Sequence, residues 1–207
     1  MISQKRYREQ PGFVQQLYDF VGAPLRMVLL PDEWSRKLGF TSLQDERFRA
    51  VLPEITGRLL DIGAGDNQLV ETYGDGVGVD VVDWSSSALV VSDTRELPFE
   101  DQSFDTVTFI ACLNHIPYRE DALREAHRLL RPGGRLIVTM IGSLIGEVGH
   151  KLWWYSEDKH RDVAEGEVMG MDPEDVKQLI RSAGFVLTKH RRFVYQLNHL
   201  FVAVKES

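Results

Sequence analysis

Cysteine is nearly missing from this sequence: Cys112 stands alone among 207 residues. That excludes an internal disulfide and a multi-cysteine zinc or iron–sulfur cage. Long apolar runs are missing too. No stretch approaches the roughly 18–20 residues of a membrane span, and the run over 21–30 is cut by Pro24 and Arg26. No apolar segment of leader type follows the basic residues Lys5, Arg6 and Arg8, so the expectation is a cytoplasmic protein. Positive charge is in deficit, with 24 Lys and Arg against 31 Asp and Glu and a net charge of −7. That argues against a nucleic-acid backbone as main partner, because phosphate binding needs a basic face. Internal repeats and low-complexity tracts do not occur. What is present, 43% hydrophobic and 27% charged residues, suits a globular chain of one α/β domain plus an appendage.

Residues 1–56 mix charges, aromatics and breakers (Pro11, Gly12, Pro24, Pro31, Gly39, Pro53). They read as a helical lid, with helices near 13–20 and 43–52. From Arg58 the texture changes. Short runs that are apolar throughout, at 58–62, 77–80, 88–91, 106–112 and 136–141, predict parallel strands covered on both faces. Leu123, Ala126, Leu129 and Leu130 mark one face of a helix over 119–130, with a Glu120–Arg124 pair. Pro132-Gly133-Gly134 separates it from the next strand. A second helix over 172–183 has Asp172 as cap and Pro173 at its first position. Strands over 185–195 and 198–205 close the chain as a hairpin. Alternating strands and helices imply an α/β fold with a doubly wound, mostly parallel seven-stranded sheet, an antiparallel edge hairpin and the N-terminal lid. The link from Asp80 to Leu89 is too short for a normal helical crossover. Its helix is either missing or one turn around 84–87. Residues 57–207 form the main domain, with an insertion at about 142–171.

Ligands of such sheets bind beyond the carboxyl ends of the strands. Those ends carry Asp61-Ile62-Gly63-Ala64-Gly65, Asp80, Asp93-Thr94 and Cys112-Leu113-Asn114-His115. Gly63 and Gly65 let backbone approach a ligand closely. Asp80 suits a ribose diol and Asp93 an exocyclic amine, so an adenosine nucleoside is indicated. A nicotinamide dinucleotide shares the diol-binding acid. Its fingerprint needs a third small residue, whereas Gly65 is followed by Asp66, Asn67 and Gln68. Asp61 and Asp66 also repel a pyrophosphate. No phosphate-binding loop with its glycines and Lys occurs. Acids at this place suit a cationic ligand without phosphate, and S-adenosylmethionine meets that description.

Leu60-Asp61-Ile62-Gly63-Ala64-Gly65, Gly78-Val79-Asp80, the run from Leu97 to Asp105 and the run from Leu129 to Leu136 resemble the successive motifs of class I S-adenosylmethionine-dependent methyltransferases. The likeness is to the small-molecule branch with ubiquinone/menaquinone-type enzymes, and it covers about 58–140. It implies a Rossmann-like fold and S-adenosylmethionine as cofactor, with S-adenosylhomocysteine as product. Gly63 and Gly65 would pass under the methionine part and Asp61 would act near its ammonium group. Asp80, with Val81 beside it, would hold the ribose. Asp93 and Thr94 would face adenine, and Cys112 would sit beside the sulfonium. Asp66-Asn67 departs from the usual glycine region, and the short link after Asp80 departs from the usual second helix.

Methyl transfer needs in-line placement of the acceptor, and an O or N acceptor must also lose a proton. His115, just past the fourth strand, is the candidate base; a ring packed on the cofactor or capping the next helix is its structural alternative. Trp153, Trp154 and Tyr155 in the insertion could line an acceptor pocket or simply pack as a cap. His150 and His160 lack matching acids at ligand spacing, so no metal is expected. Lys189-His190-Arg191-Arg192 is either a solvated edge or a handle for an anionic substrate. The functional expectation is an enzyme methylating a small molecule. The alternatives are an NAD(P)-dependent oxidoreductase and a non-catalytic S-adenosylmethionine-binding protein on the same fold.

Overall fold

The computed structural model describes residues 7, 11–23, 32–142, 168 and 170–206. Within them the apolar runs become β1 (Leu59–Ile62), β2 (Gly76–Asp80), β3 (Leu89–Val90), β4 (Phe104–Ile110), β5 (Leu130–Ile141), β6 (Phe185–Phe193) and β7 (Asn198–Lys205). They form one sheet of order β3-β2-β1-β4-β5-β7-β6. β1 pairs in parallel with β2 and β4, while β7 lies antiparallel to both β5 and β6. The expected sheet with its edge hairpin is what forms. Strand order reverses between β1 and β4, and a crevice opens at such a switch point beyond the carboxyl ends.

The helices are α1 (Phe13–Val21), α2 (Asp32–Lys37), α3 (Leu43–Val51), α4 (Gln68–Tyr73), α5 (Arg119–Leu129) and α6 (Pro173–Ser182). Apolar residues on both sheet faces require cover on both sides, and two cores result. On one face α5 and α6 bury Leu123, Ala126, Val176 and Ile180 against Leu60, Phe109 and Phe201. On the other, Phe48 and Val51 of α3 join Leu69 and Val70 of α4 over Leu59, Ile137 and Leu200. The residues before β1 thus share a core with the sheet. Caps follow the sequence: Asp172 accepts from the Glu174 N–H at 2.8 Å with Pro173 next, and Ser42 accepts from the Asp45 N–H at 3.1 Å. On α5, Arg124 reaches Glu120 at 3.3 Å.

Three local features differ from the sequence reading, and its two alternatives for the link after Asp80 are decided in favour of a missing helix. α4 was not foreseen, because Asp66-Asn67 reads as loop; Asn67 adopts φ +61° and its carbonyl opens the helix by accepting from Glu71. Residues 81–88 contain no helix and are bound to the β1 loop instead. Asn67 donates to Ser87 Oγ at 2.8 Å, and Ser86 Oγ donates to the Gly65 carbonyl at 2.9 Å. β4 ends at Ile110, where Ala111 turns to φ +54°, so Cys112 lies just past the strand. β5 starts directly after α5. Leu130 already pairs with Phe104, and Pro132-Gly133-Gly134 bulges within the strand before Arg135 resumes pairing. Gly142 and Met171 are bridged in parallel; the insertion between them lies almost wholly outside the described residues.

Candidate cofactor site

β1 delivers Asp61 and then a turn that only residues tolerant of left-handed backbone can make. Gly63 has φ +74° and Gly65 φ +55°. The Gly63 and Ala64 N–H groups both donate to the Val79 carbonyl, at 2.9 and 3.0 Å, which ties the turn to β2. A Cβ on Gly63 would stand 2.7 Å from Cys112 Cβ, so Gly63 is also where the turn touches the end of β4.

Asp61 is 3% exposed. It sits in register with Thr108 of β4, whose hydroxyl donates to it at 2.6 Å. Burial is the main cause that pushes its carboxyl up to about 7. The Thr108 hydrogen bond opposes this, and the negative charges of Asp80 and Asp66 add to it. Among the described residues no cationic side chain pairs with it. Asp80, buried at the end of β2, accepts from the Gly65 N–H and the Val82 N–H, both at 2.9 Å. Val81 next to it is exposed. Cys112 Sγ donates to the Ile62 carbonyl at 3.0 Å. Burial, helped by Asp61 and Asp80, raises its thiol well above the ordinary value, so it stays protonated and is no nucleophile at neutral pH.

Asp93 lies beyond β3 and is engaged by Arg95. Its carboxylate accepts from the Arg95 N–H at 2.8 Å and from Nε at 2.7 Å. The Arg95 hydrogen bond holds it below the usual carboxylate range. The Arg95 guanidinium in turn lies 4.2 Å from the centre of the Tyr118 ring. Thr94 is buried next to Asp93. His115 ends the 3₁₀ turn Leu113–His115, its Nε2 3.1 Å from the Asn114 amide nitrogen. Asn114 also donates to the Val168 carbonyl at 3.0 Å and so holds the last residues of the insertion.

Asp61, Gly63, Gly65, Asp80 and Cys112 are therefore brought to one place. Asp93 and Thr94 stand at the neighbouring strand end, and His115 one turn past Cys112. Trp153, Trp154 and Tyr155 lie outside the described residues. Sequence reasoning missed Thr108, Asn67 and Arg95. Thr108 had a signal, as a polar residue inside the otherwise apolar run from Val107 to Ile110. Arg95 had none, since only the turn after β3 folds it back onto Asp93. Among the described residues no group of three or more His, Cys, Asp or Glu is placed to hold a metal ion, and no helix is long and apolar enough to cross a membrane.

Acids at neighbouring strand ends beside glycine backbone, the inner carboxyl having no cationic partner among the described residues, fit a positively charged nucleoside and disfavour a pyrophosphate. Known proteins agree with that fit. The methyltransferase domain family matches residues 60–138. The ubiquinone/menaquinone biosynthesis C-methyltransferase UbiE of Hahella chejuensis is 29% identical over 80% of the chain. That of Azotobacter vinelandii is 31% identical over 72%. The chain spans 68% and 60% of those two proteins' own lengths. A SAM-dependent methyltransferase of Thermotoga maritima shares the fold, with TM-score 0.61 and 22% identity over 78% of this chain and 88% of that one. Motif order, sheet topology and these matches together place the chain among the class I S-adenosylmethionine-dependent methyltransferases, with S-adenosylmethionine as cofactor.

Proposed function

We propose that the chain transfers a methyl group from S-adenosylmethionine to a small-molecule acceptor. The observation that carries this reading is Asp61, a buried carboxyl with one hydroxyl donor, two acids nearby and, among the described residues, no cation. Such a group calls for a positive charge from a ligand. The cofactor supplies that charge together with an activated methyl group. In this reading Asp61 faces the ammonium group. Asp80 accepts from the ribose hydroxyls, using lone pairs left over from the Gly65 and Val82 N–H groups. Gly63 and Gly65 let the backbone come close, and Cys112 fills the floor between β1 and β4. Asp93, held by Arg95, presents its remaining lone pairs toward the adenine side with Thr94.

His115 is the residue we assign to take a proton from an O or N acceptor, because it stands at the mouth just past Cys112. The curated relatives are named as C-methyltransferases, which makes a carbon acceptor the first to try. A cytoplasmic setting fits the lone unpaired thiol.

Calorimetry with S-adenosylhomocysteine tests the cofactor part. Binding should be micromolar or tighter and fall at least a hundredfold in Asp80→Ala, which loses two ribose hydrogen bonds to a charged acceptor. Binding of NADH with none of S-adenosylhomocysteine would instead favour an oxidoreductase. Tight cofactor binding with no methyl transfer to any acceptor, and none lost in His115→Ala, would leave a binding protein.

A further inference from the structure

Asp61 and Asp93 stand at strand ends on either side of Asp80, and the fold treats them in opposite ways. Asp61 is buried and, among the described residues, has no cationic partner. Asp93 is met by a cation from its own turn. Its Oδ1 accepts from the Arg95 N–H at 2.8 Å, and its Oδ2 accepts from Arg95 Nε at 2.7 Å, with Nη2 2.6 Å away. Both oxygens are held, so the carboxylate cannot rotate without losing a contact. A carboxylate offers about four lone-pair sites. The guanidinium takes up Oδ2, and Oδ1, with a single N–H on it, keeps a place for one more donor.

Arg95 is in turn held from its far side. Its guanidinium carbon lies 4.2 Å from the centre of the Tyr118 ring. Tyr118 caps α5, and its carbonyl accepts from the Ala122 N–H at 3.0 Å. The ring therefore stands at the end of a helix whose Ala122 and Leu123 are fixed in the core. Asp121 places a negative charge near the same guanidinium. Exposed ion pairs ordinarily gain little, because two long side chains must be ordered for one contact. A planar fork seated on an aromatic face is ordered already. The clasp thus joins the end of β3 to the start of α5, although the sheet order sets β2 and β1, which carry Asp80 and Asp61, between β3 and β4.

The two acids match the two ends of the cofactor. Its ammonium and sulfonium groups are cationic, and its purine is neutral. A carboxyl without a cation suits the first end. A carboxylate already neutralised by a guanidinium suits the second, since it accepts a hydrogen bond without presenting a net charge to an uncharged base. We propose that Arg95, seated on Tyr118, is a positioning residue that aims the Asp93 carboxylate at the exocyclic amine of the purine and so makes the site select a 6-amino base. The inference rests on the S-adenosylmethionine reading above and adds the residue that sets its base selectivity. Arg95 acts through Asp93 and not by touching the base.

Calorimetry with two ligands tests it: S-adenosylhomocysteine, and its 6-deamino analogue in which hydrogen replaces the adenine amine. The wild-type chain should prefer the amino ligand by roughly tenfold to a hundredfold, the worth of one hydrogen bond to a charged acceptor. Arg95→Gln should lower that preference to about threefold, weakening the amino ligand and leaving the deamino ligand within about twofold. Arg95→Lys, which keeps the charge without the fork, should fall between. Tyr118→Ala should lose part of the preference, and Tyr118→Phe, which keeps the ring face, should restore it. In an Asp93→Ala background Arg95→Gln should change nothing further. A wild-type chain that binds both ligands equally would overturn the proposal. So would an Arg95→Gln variant that weakens both ligands alike or neither, the first being the mark of a merely structural role. A Tyr118→Ala chain as selective as the wild type would overturn the seat on Tyr118. Failure of the wild-type chain to bind S-adenosylhomocysteine at all would instead remove the cofactor reading itself, and the proposal with it.

Discussion

The sheet and the N-terminal helices treat apolar residues in opposite ways. In the sheet, Leu60, Ile62, Val107, Phe109, Leu136 and Val138 are fully buried, and the acids Asp61 and Asp80 lie near each other at neighbouring strand ends. In α1 a carboxylate is buried and the phenylalanines face outward. The difference has a physical origin. A parallel sheet has helices on both faces, so the apolar residues of its central strands are covered, while Leu89 and Val90 of the two-residue edge strand β3 stay exposed. A short helix held by a buried carboxylate at Asp19 has its orientation set by hydrogen bonds instead of by its apolar stripe. The sheet uses its hydrophobic residues for stability, whereas those of α1 stay mostly exposed, with Phe20 meeting only the edge of Tyr195 among the ring contacts of the described residues.

Substitutions should expose that contrast in order of size. Phe109→Ala removes a fully buried ring between two layers and should cost about 3–5 kcal/mol in urea unfolding.

Asp61→Asn comes next, and its effect depends on pH. The folded carboxyl titrates near 7, above the ordinary 3.8. Its contribution is therefore whole below about pH 4 and is lost as pH rises through 7. At pH 8 the cofactor-free protein should gain a few kcal/mol from the substitution, a rise of several degrees in melting temperature. Near pH 4 the gain should vanish, while S-adenosylhomocysteine binding is lost throughout. A gain equal at both pH values would contradict the burial argument.

Gly63→Ala should cost about 1–3 kcal/mol, because the new methyl meets Cys112 and the backbone holds φ +74°. A double-mutant cycle with Cys112→Gly should show a cost below the sum of the two. Phe13→Ser, on the other side of the comparison, should stay within about 0.5 kcal/mol. A larger loss would mean that α1 is packed after all.

How much of this was legible beforehand follows the same division. β1, β2 and β7 were readable to within a residue or so, because buried parallel and central strands are apolar without interruption. The acids at strand ends were readable because each follows such a run. α4 was not, since its first turn depends on Asn67 in a left-handed conformation, lying where Gly78 leaves space for its side chain. The Arg95 clasp on Asp93 and the Thr108 bond to Asp61 are tertiary, although the register that sets Thr108 beside Asp61 is implicit in two aligned strands. The direction in which α1 faces was hidden for a different reason. Its pattern is that of any amphipathic helix, and only the contact between Asp19 and Thr41, 22 residues apart, decides which side is in.

The basic run at residues 189–192 falls on β6, the outer strand of the sheet. Lys189 is tied to Glu54 at 2.6 Å and Arg191 to the Ala50 carbonyl at 3.2 Å, so these two fasten the hairpin to the residues before β1 rather than reaching for a substrate. A nine-residue edge with free backbone groups is a template on which neighbouring molecules could add strands. Arg191 and Arg192 line this one with like charge, and a register slip between Leu187 and Lys189 breaks its flatness. The far edge, β3, is only two residues long. Both rims of the sheet thus carry their own defence against edge-to-edge aggregation, one by repulsion and the other by brevity.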